Sequence, residues 1–308
     1  MKKFLSIILT LSMCICSSVS AYNTNELSTE EPHVAMVYSK KFPNAYIIQN
    51  ESVEKTRSAS TTKTVSATVF VEEEYGLDAN GNPITVSSRL LSEEEVLAIG
   101  LESFGDMEKI RQEATSKVAH TRSSTNARGA LTISFSGTFT LEDTGVTCDL
   151  DGNASWSAGA SLFNGENRPA VGTDFIGITW SGGYTCPYCS IDVAEPLNNY
   201  EPEVLTLCAA TPNGGRVWEF TEAWAGSMLG QTATFYLTSI DVCATLRKNY
   251  LTGNGNTAEV ILNYTHTYEE HDSSVTINAS TEETGYSYTV NNVDKQWSIV
   301  CVLTGIPY

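Results

Sequence analysis

Between Leu131 and Leu141, large apolar side chains alternate with hydroxyls. Leu131, Ile133, Phe135, Phe139 and Leu141 hold one parity, and Thr132, Ser134, Ser136, Thr138 and Thr140 hold the other. A period of two puts the apolar set on one face of an extended strand and the hydroxyls on the opposite face. Gly137 is the break in the apolar face and points to a bulge or a close backbone approach there. Such a face needs a second layer to bury it, and the residues that follow read as that layer. Val146, Cys148 and Leu150 share a face, Asp151-Gly152-Asn153 is expected to turn the chain, and Trp156 lies in the next run. Phe175–Trp180, Thr234–Val242, Ala258–Tyr268, Tyr286–Val290 and Gln296–Leu303 repeat the theme, with turns at Asn213-Gly214-Gly215 and Gly253-Asn254-Gly255. Short runs at this spacing predict an all-β sandwich over residues 129–308, long enough to enclose a core.

Upstream the pattern differs. Val65, Ala67, Val69 and Val71 alternate as in a strand, residues 76–83 supply a turn, and Ile84–Ser88 is extended again. A helix then starts at a Ser92 cap, with Glu95 completing a capping box and Leu91 and Val96 placed as a hydrophobic staple. Leu97, Leu101, Phe104 and Met107 extend its apolar stripe towards Lys117. Residues 62–118 therefore read as a small α+β (ββα) unit, too small to bury much surface alone. Residues 22–61 read as a polar, partly disordered leader and 119–128 as a polar linker, with Arg122 and Arg128 open to a trypsin-like protease.

Composition places the chain rather than explaining it. Residues 1–21 carry Lys2 and Lys3, an apolar run from Phe4 to Cys16 and a small-residue end, the pattern of a cleaved secretory signal peptide of bacterial type. The run is too short to span a membrane, so no membrane insertion is expected. Beyond it lie Cys148, Cys186, Cys189, Cys208, Cys243 and Cys301. An even set in an exported chain is expected to form disulfides, giving a disulfide-stabilised sandwich whose connectivity is open among 15 pairings. From Gly129 onward 20 acidic residues face 5 basic ones, a field that repels phosphate backbones and anionic lipid, so nucleic acid is excluded as a partner.

Several constellations invite chemistry. Cys186-Pro187-Tyr188-Cys189 resembles the redox pair of glutaredoxins, in which the first cysteine heads a helix that stabilises its thiolate. Pro196 and Pro202 leave no room for a long helix after this pair, so a structural disulfide is the expectation. The same pair with Cys208 lacks the second half of a zinc knuckle. Of His33, His120, His266 and His271, strand parity puts His266 on the apolar face with Tyr264 and Tyr268, and His271 on the opposite one. The segment Gly226-Ser227-Met228-Leu229-Gly230 lacks the spacing of a nucleophile elbow. Glu219 and Glu222 would make a glycosidase pair only on a helix lining a cleft. Asp149, Asp151 and Asn153, like Asp78, Asn80 and Asn82, offer oxygens around a turn but not in the order of a calcium loop.

No metal, cofactor or catalytic group is therefore assigned. The expected function is that of a secreted, extracellular binding module, adhesin-like or carbohydrate- or matrix-binding, for an unidentified glycan or protein. Trp218 and Trp224 are its candidate stacking platform. The rival expectation is an exported enzyme or toxin-like effector made as a precursor, with residues 22–128 as its pro-region.

Overall fold

A computed structural model describes residues 36–38, 45–48, 51–55, 60–81, 83–100, 124–142, 145–156, 161–162, 173–181, 183–194, 205–211, 214–221, 223–228, 231–236, 239–249, 257–268, 273–280, 283–290 and 295–307. The signal segment, the helical stripe beyond Gly100, His33, His120, His271, Asn82 and Glu222 lie outside these residues. The chain forms β1 (Met36–Tyr38), β2 (Ala45–Ile48), β3 (Glu51–Lys55), β4 (Ser60–Leu77) and β5 (Pro83–Leu90), then α1 (Glu93–Ile99). After it come β6 (Thr125–Glu142), β7 (Gly145–Trp156), β8 (Ser161–Leu162), β9 (Asp174–Trp180), β10 (Thr185–Ala194), β11 (Leu205–Thr211) and β12 (Gly215–Phe220). Next are β13 (Ala223–Met228), β14 (Gln231–Tyr236), β15 (Ser239–Asn249), β16 (Thr257–Thr267), β17 (Ser273–Ser280), β18 (Glu283–Val290) and β19 (Gln296–Pro307).

Nearly everything described is strand, arranged as a β-sandwich. One seven-stranded sheet, here the front sheet, has the order β10-β15-β7-β6-β4-β3, with β5 continuing the β3 edge of β4. The back sheet has the order β1-β2-β19-β16-β9-β12-β11 and is antiparallel except where β2 joins β19 in parallel. The inward parity of each sheet supplies one shared core, including Val65, Val69, Leu131, Ile133, Phe135 and Leu150 from the front and Ile178, Leu262, Tyr264, Ile299 and Leu303 from the back. The β17–β18 hairpin lies against the outer side of β9, β12 and β16, and consistently β9 is buried on both faces.

Two glycines set how closely the sheets approach. Gly137 continues the β6 ladder without a bulge, and a Cβ there would lie 3.1 Å from Leu303 Cδ1 of the back sheet. Gly152 does not turn the chain: it is a mid-strand residue of β7, and a Cβ there would stand 2.7 Å from Leu262 Cδ1. Turn-forming and close packing both call for a missing side chain, and here packing is the reason.

The expected partition of the chain also changes. Residues 125–128 of the expected linker are strand instead, because β6 already begins at Thr125 and pairs with β4 from Tyr75↔Thr125 to Ser60↔Thr140. The strands expected of a separate ββα unit are thus part of the front sheet, where Val65, Ala67, Val69 and Val71 are buried. The expected leader contributes β1, β2 and β3, and Ile48 of β2 is fully buried. A pro-region spanning 22–128 would take five strands and much of the core with it. Each buried Val or Ile contributes about 1.5–3 kcal/mol, so what remained would not keep this fold. The helix start is as expected: Ser92 and Glu95 form the capping box, Leu91 and Val96 are buried, and Gly100 closes α1 at φ +90°.

Glu72 ties these elements together. Its carboxylate meets Arg128 of β6 at 2.9 Å and Arg89 of β5 at 2.8 Å, and Arg89 also reaches Glu95 of α1 at 2.7 Å. Burial alone would raise the Glu72 carboxyl, but the hydrogen bonds and charges of the two arginines outweigh it and hold the group below its usual range.

Two outcomes check this architecture. Limited trypsin digestion of the folded protein is expected to spare the Arg128–Gly129 bond until global unfolding, as read by peptide mass. Gly152→Ala is expected to cost about 1–3 kcal/mol through overpacking against Leu262, read as a lower urea midpoint at unchanged slope.

Candidate functional site

The outward parity of the front sheet forms a lattice. Read across β4, β6, β7, β15 and β10, one row is Ser66, Ser134, Asn153, Asp241 and Asp192, and the next is Thr64, Ser136, Asp151, Cys243 and Ser190. Flanking rows are Thr62, Thr138, Asp149, Thr245 and Tyr188 on one side and Thr68, Thr132, Ser155 and Ser239 on the other. Strand geometry spaces these side chains about 4.8 Å across the strands and about 6.8 Å along them. Neighbours bond within the rows: Thr62 to Thr138 at 3.0 Å, Thr68 to Thr132 at 3.0 Å, Thr245 to Asp149 at 2.8 Å and Asn153 to Asp241 at 2.7 Å. A hydroxyl pair uses one O–H between its members, which leaves the second O–H and further lone pairs for another partner. Asp149, Asp151 and Asn153, expected around a turn, are thus consecutive outward positions of one strand. Asp78 instead closes the β4–β5 turn, accepting from Asn80 N at 2.8 Å.

A second polar group lies between the sheets. His266 of β16 sits with Nδ1 3.1 Å from Asp174 Oδ2 of β9 and Nε2 3.3 Å from Glu73 Oε1 of β4. Asp174 also accepts from Tyr264 Oη at 2.6 Å and from the Thr267 backbone at 2.9 Å. Glu73 accepts from Tyr75 Oη and from Ser88 Oγ at 3.3 Å, and Ser88 in turn accepts from Trp297 Nε1 at 2.9 Å. The Nε2 contact is an ion-pair approach rather than a well-aligned hydrogen bond. The two ring nitrogens thus face one carboxylate each, one from either sheet. With Glu73 at 1 %, Asp174 at 0 % and His266 at 3 % exposure, no substrate reaches this group, and it acts as a polar pin between the two sheets. His266 is buried, as its parity requires. Glu73 escaped the sequence reading, although continuing the inward series Val65, Ala67, Val69, Val71 by one step reaches it.

The third place is the rim where β10 and β12 face each other. β10 carries Cys186 and Cys189, and the register shift between Thr185 and Tyr188 sets Cys186 and Pro187 together opposite Leu246. That extra residue returns Cys186 to the inward side, so residues three apart, which a regular strand would point oppositely, share a face. Both are half-buried against the core rim with their thiols hydrogen-bonded to each other, and the Cys186 thiol also donates to the Tyr188 carbonyl at 2.9 Å. Arg216 of β12 donates to the carbonyls of Thr211 and Gly215 at 2.9 Å, stands 6.0 Å from the Trp180 ring, and projects its charge onto both thiols. The partner thiol, opposed by burial and aided by Arg216 and the Tyr188 backbone, pulls Cys186 down to about 7. The shared hydrogen bond and burial push Cys189 upward.

The six cysteines among the described residues are free thiols, so the expected disulfide framework is absent from this structure. Their positions explain why they do not staple the sandwich. Cys148 and Cys301 are core residues of opposite sheets, raised far by burial. Cys208 lies on the outer side of the back sheet beside Phe175 and Val217, and Cys243 on the outer side of the front sheet, each pushed up to about 11, first by burial. Trp218, a candidate platform, is 6 % exposed and packs in the core, so it offers no stacking face. The side chain of Trp224 lies outside what the structure describes, as does Glu222, the partner proposed for Glu219.

No protein-family model matches the chain, and no curated protein does. Among solved structures, the collagen adhesin of S. aureus aligns at TM-score 0.23 and 8 % identity over 83 % of this chain and 93 % of that one. A structure described as BspA_C_WT aligns at TM-score 0.25 and 7 % identity, over 82 % and 99 %. The Clostridium perfringens NetB toxin in its membrane-inserted form aligns at TM-score 0.22 and 7 % identity, over 57 % and 91 %. Likeness at this level transfers neither a site nor a ligand. Among the described residues no helix is long and apolar enough to cross a membrane.

The polar pin yields a prediction of its own. Asp174→Ala removes the acceptor of Tyr264, His266 and Thr267 and leaves a buried imidazole against one carboxylate. It is expected to cost about 3–5 kcal/mol, measured by urea unfolding, whereas a surface change such as Asp192→Ala is expected to shift the midpoint little.

Proposed function

We propose that the protein is an exported, non-catalytic binding protein that docks a polyhydroxylated ligand, a glycan, on the outer face of its front sheet. The observation that carries this reading is the lattice of Ser, Thr, Asp and Asn side chains across five neighbouring strands. A sugar surface presents hydroxyls that both donate and accept, and an array with outward donors and acceptors at fixed spacing answers it without a charged partner. The rows already bond internally, so little rotamer freedom is lost when a ligand arrives, which favours affinity by preorganisation. The acidic balance fits a neutral ligand better than an anionic one.

The reading is tested by depletion of the purified full chain from solution by insoluble neutral polysaccharides and by a glycan array. Retention on at least one neutral glycan is expected. The pair Ser136→Ala and Asp151→Ala is expected to weaken it about tenfold through lost hydrogen bonds, at an unchanged unfolding midpoint. Retention unaffected by these changes, or no retention on any glycan, overturns the assignment of this face.

A further inference from the structure

We propose that Cys186-Pro187-Tyr188-Cys189 on the β10 bulge is a thiol–disulfide exchange site, with Cys186 as the attacking sulfur and Cys189 as the resolving one. The proposal does not rest on the glycan reading: the two thiols lie on the inward side of β10, and only Tyr188 between them belongs to a flanking row of that face. Three features of the place lead to it. The bulge turns two cysteines that a regular strand would separate onto one side, where their thiols share a hydrogen bond. The site lies on an edge strand, paired among the described residues only to β15, and Cys186 and Cys189 are themselves only half-buried at the rim beside the exposed Pro187, so a partner disulfide can approach. Arg216 comes from the facing sheet and, among the described residues, meets carbonyls and the Trp180 ring rather than a carboxylate, leaving its charge to favour a thiolate. A helix N-terminus supplies that charge in other dithiol sites; here a guanidinium and a neighbouring thiol take its place.

The exchange balances with a disulfide of the form R–S–S–R as oxidant. The Cys186 thiolate attacks one sulfur, forming a mixed disulfide and expelling RS⁻, which takes up the proton Cys186 gave to solvent. Cys189 then loses its proton and attacks Cys186 Sγ, expelling the second RS⁻. The sum is one dithiol oxidised to the Cys186–Cys189 disulfide and one R–S–S–R reduced to two R–SH. Excess thiol runs the sequence backwards. Arg216 acts as a positioning residue, since it reaches the chemistry through the charge of Cys186.

The test uses the full chain, reduced, freed of reductant, exposed to glutathione disulfide, quenched and mapped by peptide mass. Loss of two hydrogens across Cys186 and Cys189 is expected, with a Cys186 mixed disulfide accumulating in Cys189→Ser. Within one wild-type molecule, Cys186 is expected to alkylate at pH 7 at least about tenfold faster than Cys243, whose thiol burial and the neighbouring Asp151 push up. The pH midpoint of Cys186 alkylation is expected near neutrality, to rise in Arg216→Gln and to return in Arg216→Lys. The proposal is overturned if Cys186 reacts no faster than Cys243, if glutathione is found first on Cys189, or if excess glutathione fails to reopen the pair. The Cys186 to Cys243 comparison needs no variant and so holds even where a substitution unfolds the chain.

Discussion

Side-chain alternation along the paired strands β4 and β6 is the constraint on which the rest depends. From Ser60↔Thr140 to Tyr75↔Thr125 the two run without a register break, so every inward residue of one lies opposite an inward residue of the other, and every outward residue opposite an outward one. A slip of one residue would put Val65, Val69, Leu131, Ile133 and Phe135 into water and the threonines into the core. The same pairing thus defines the hydrophobic layer and the hydroxyl lattice, and neither exists without the other.

Between the sheets, apolar fit and polar fit divide the work. Gly137 and Gly152 let Leu303 and Leu262 descend onto the front sheet, while Glu73, His266 and Asp174 bridge the interface near its other end. Leucines packed against glycines specify distance, whereas a carboxylate and an imidazole from different sheets specify which residues must meet. The cysteines complement this: two fill the core as small apolar groups, and the pair on β10 sits where an edge strand is interrupted by Pro187 and a bulge.

Much of the architecture was legible because period-two patterns are strong. The strand around Leu131–Leu141, those at Phe175–Trp180 and Ala258–Tyr268, and the capped start of α1 all followed from residues alone. What escaped did so for identifiable reasons. Asn126 and Arg128 are polar because they lie on the outward parity and pair with Glu72, and outward strand residues read like a linker. Asp151-Gly152-Asn153 has the composition of a turn, but the glycine answers a leucine of the other sheet that sequence does not place beside it. Asp174 meets Glu73 only through the stacking of the two sheets. The bulge at Cys186 left a single local trace, Pro187, so counting parity would have put the two sulfurs on opposite faces.

The parallel joining of β2 to β19 has a consequence for how the molecule comes into being. Ala45–Ile48 lies against Ser298–Cys301, partners about 250 residues apart along the chain, and pairing at such separation raises contact order and slows folding. A nascent chain emerging from its N-terminus cannot finish the back sheet until β19 has appeared. Ile48 therefore has no permanent burial site during synthesis. The back sheet stays unclosed until β19 has been made, and the molecule locks only when these two distant segments meet.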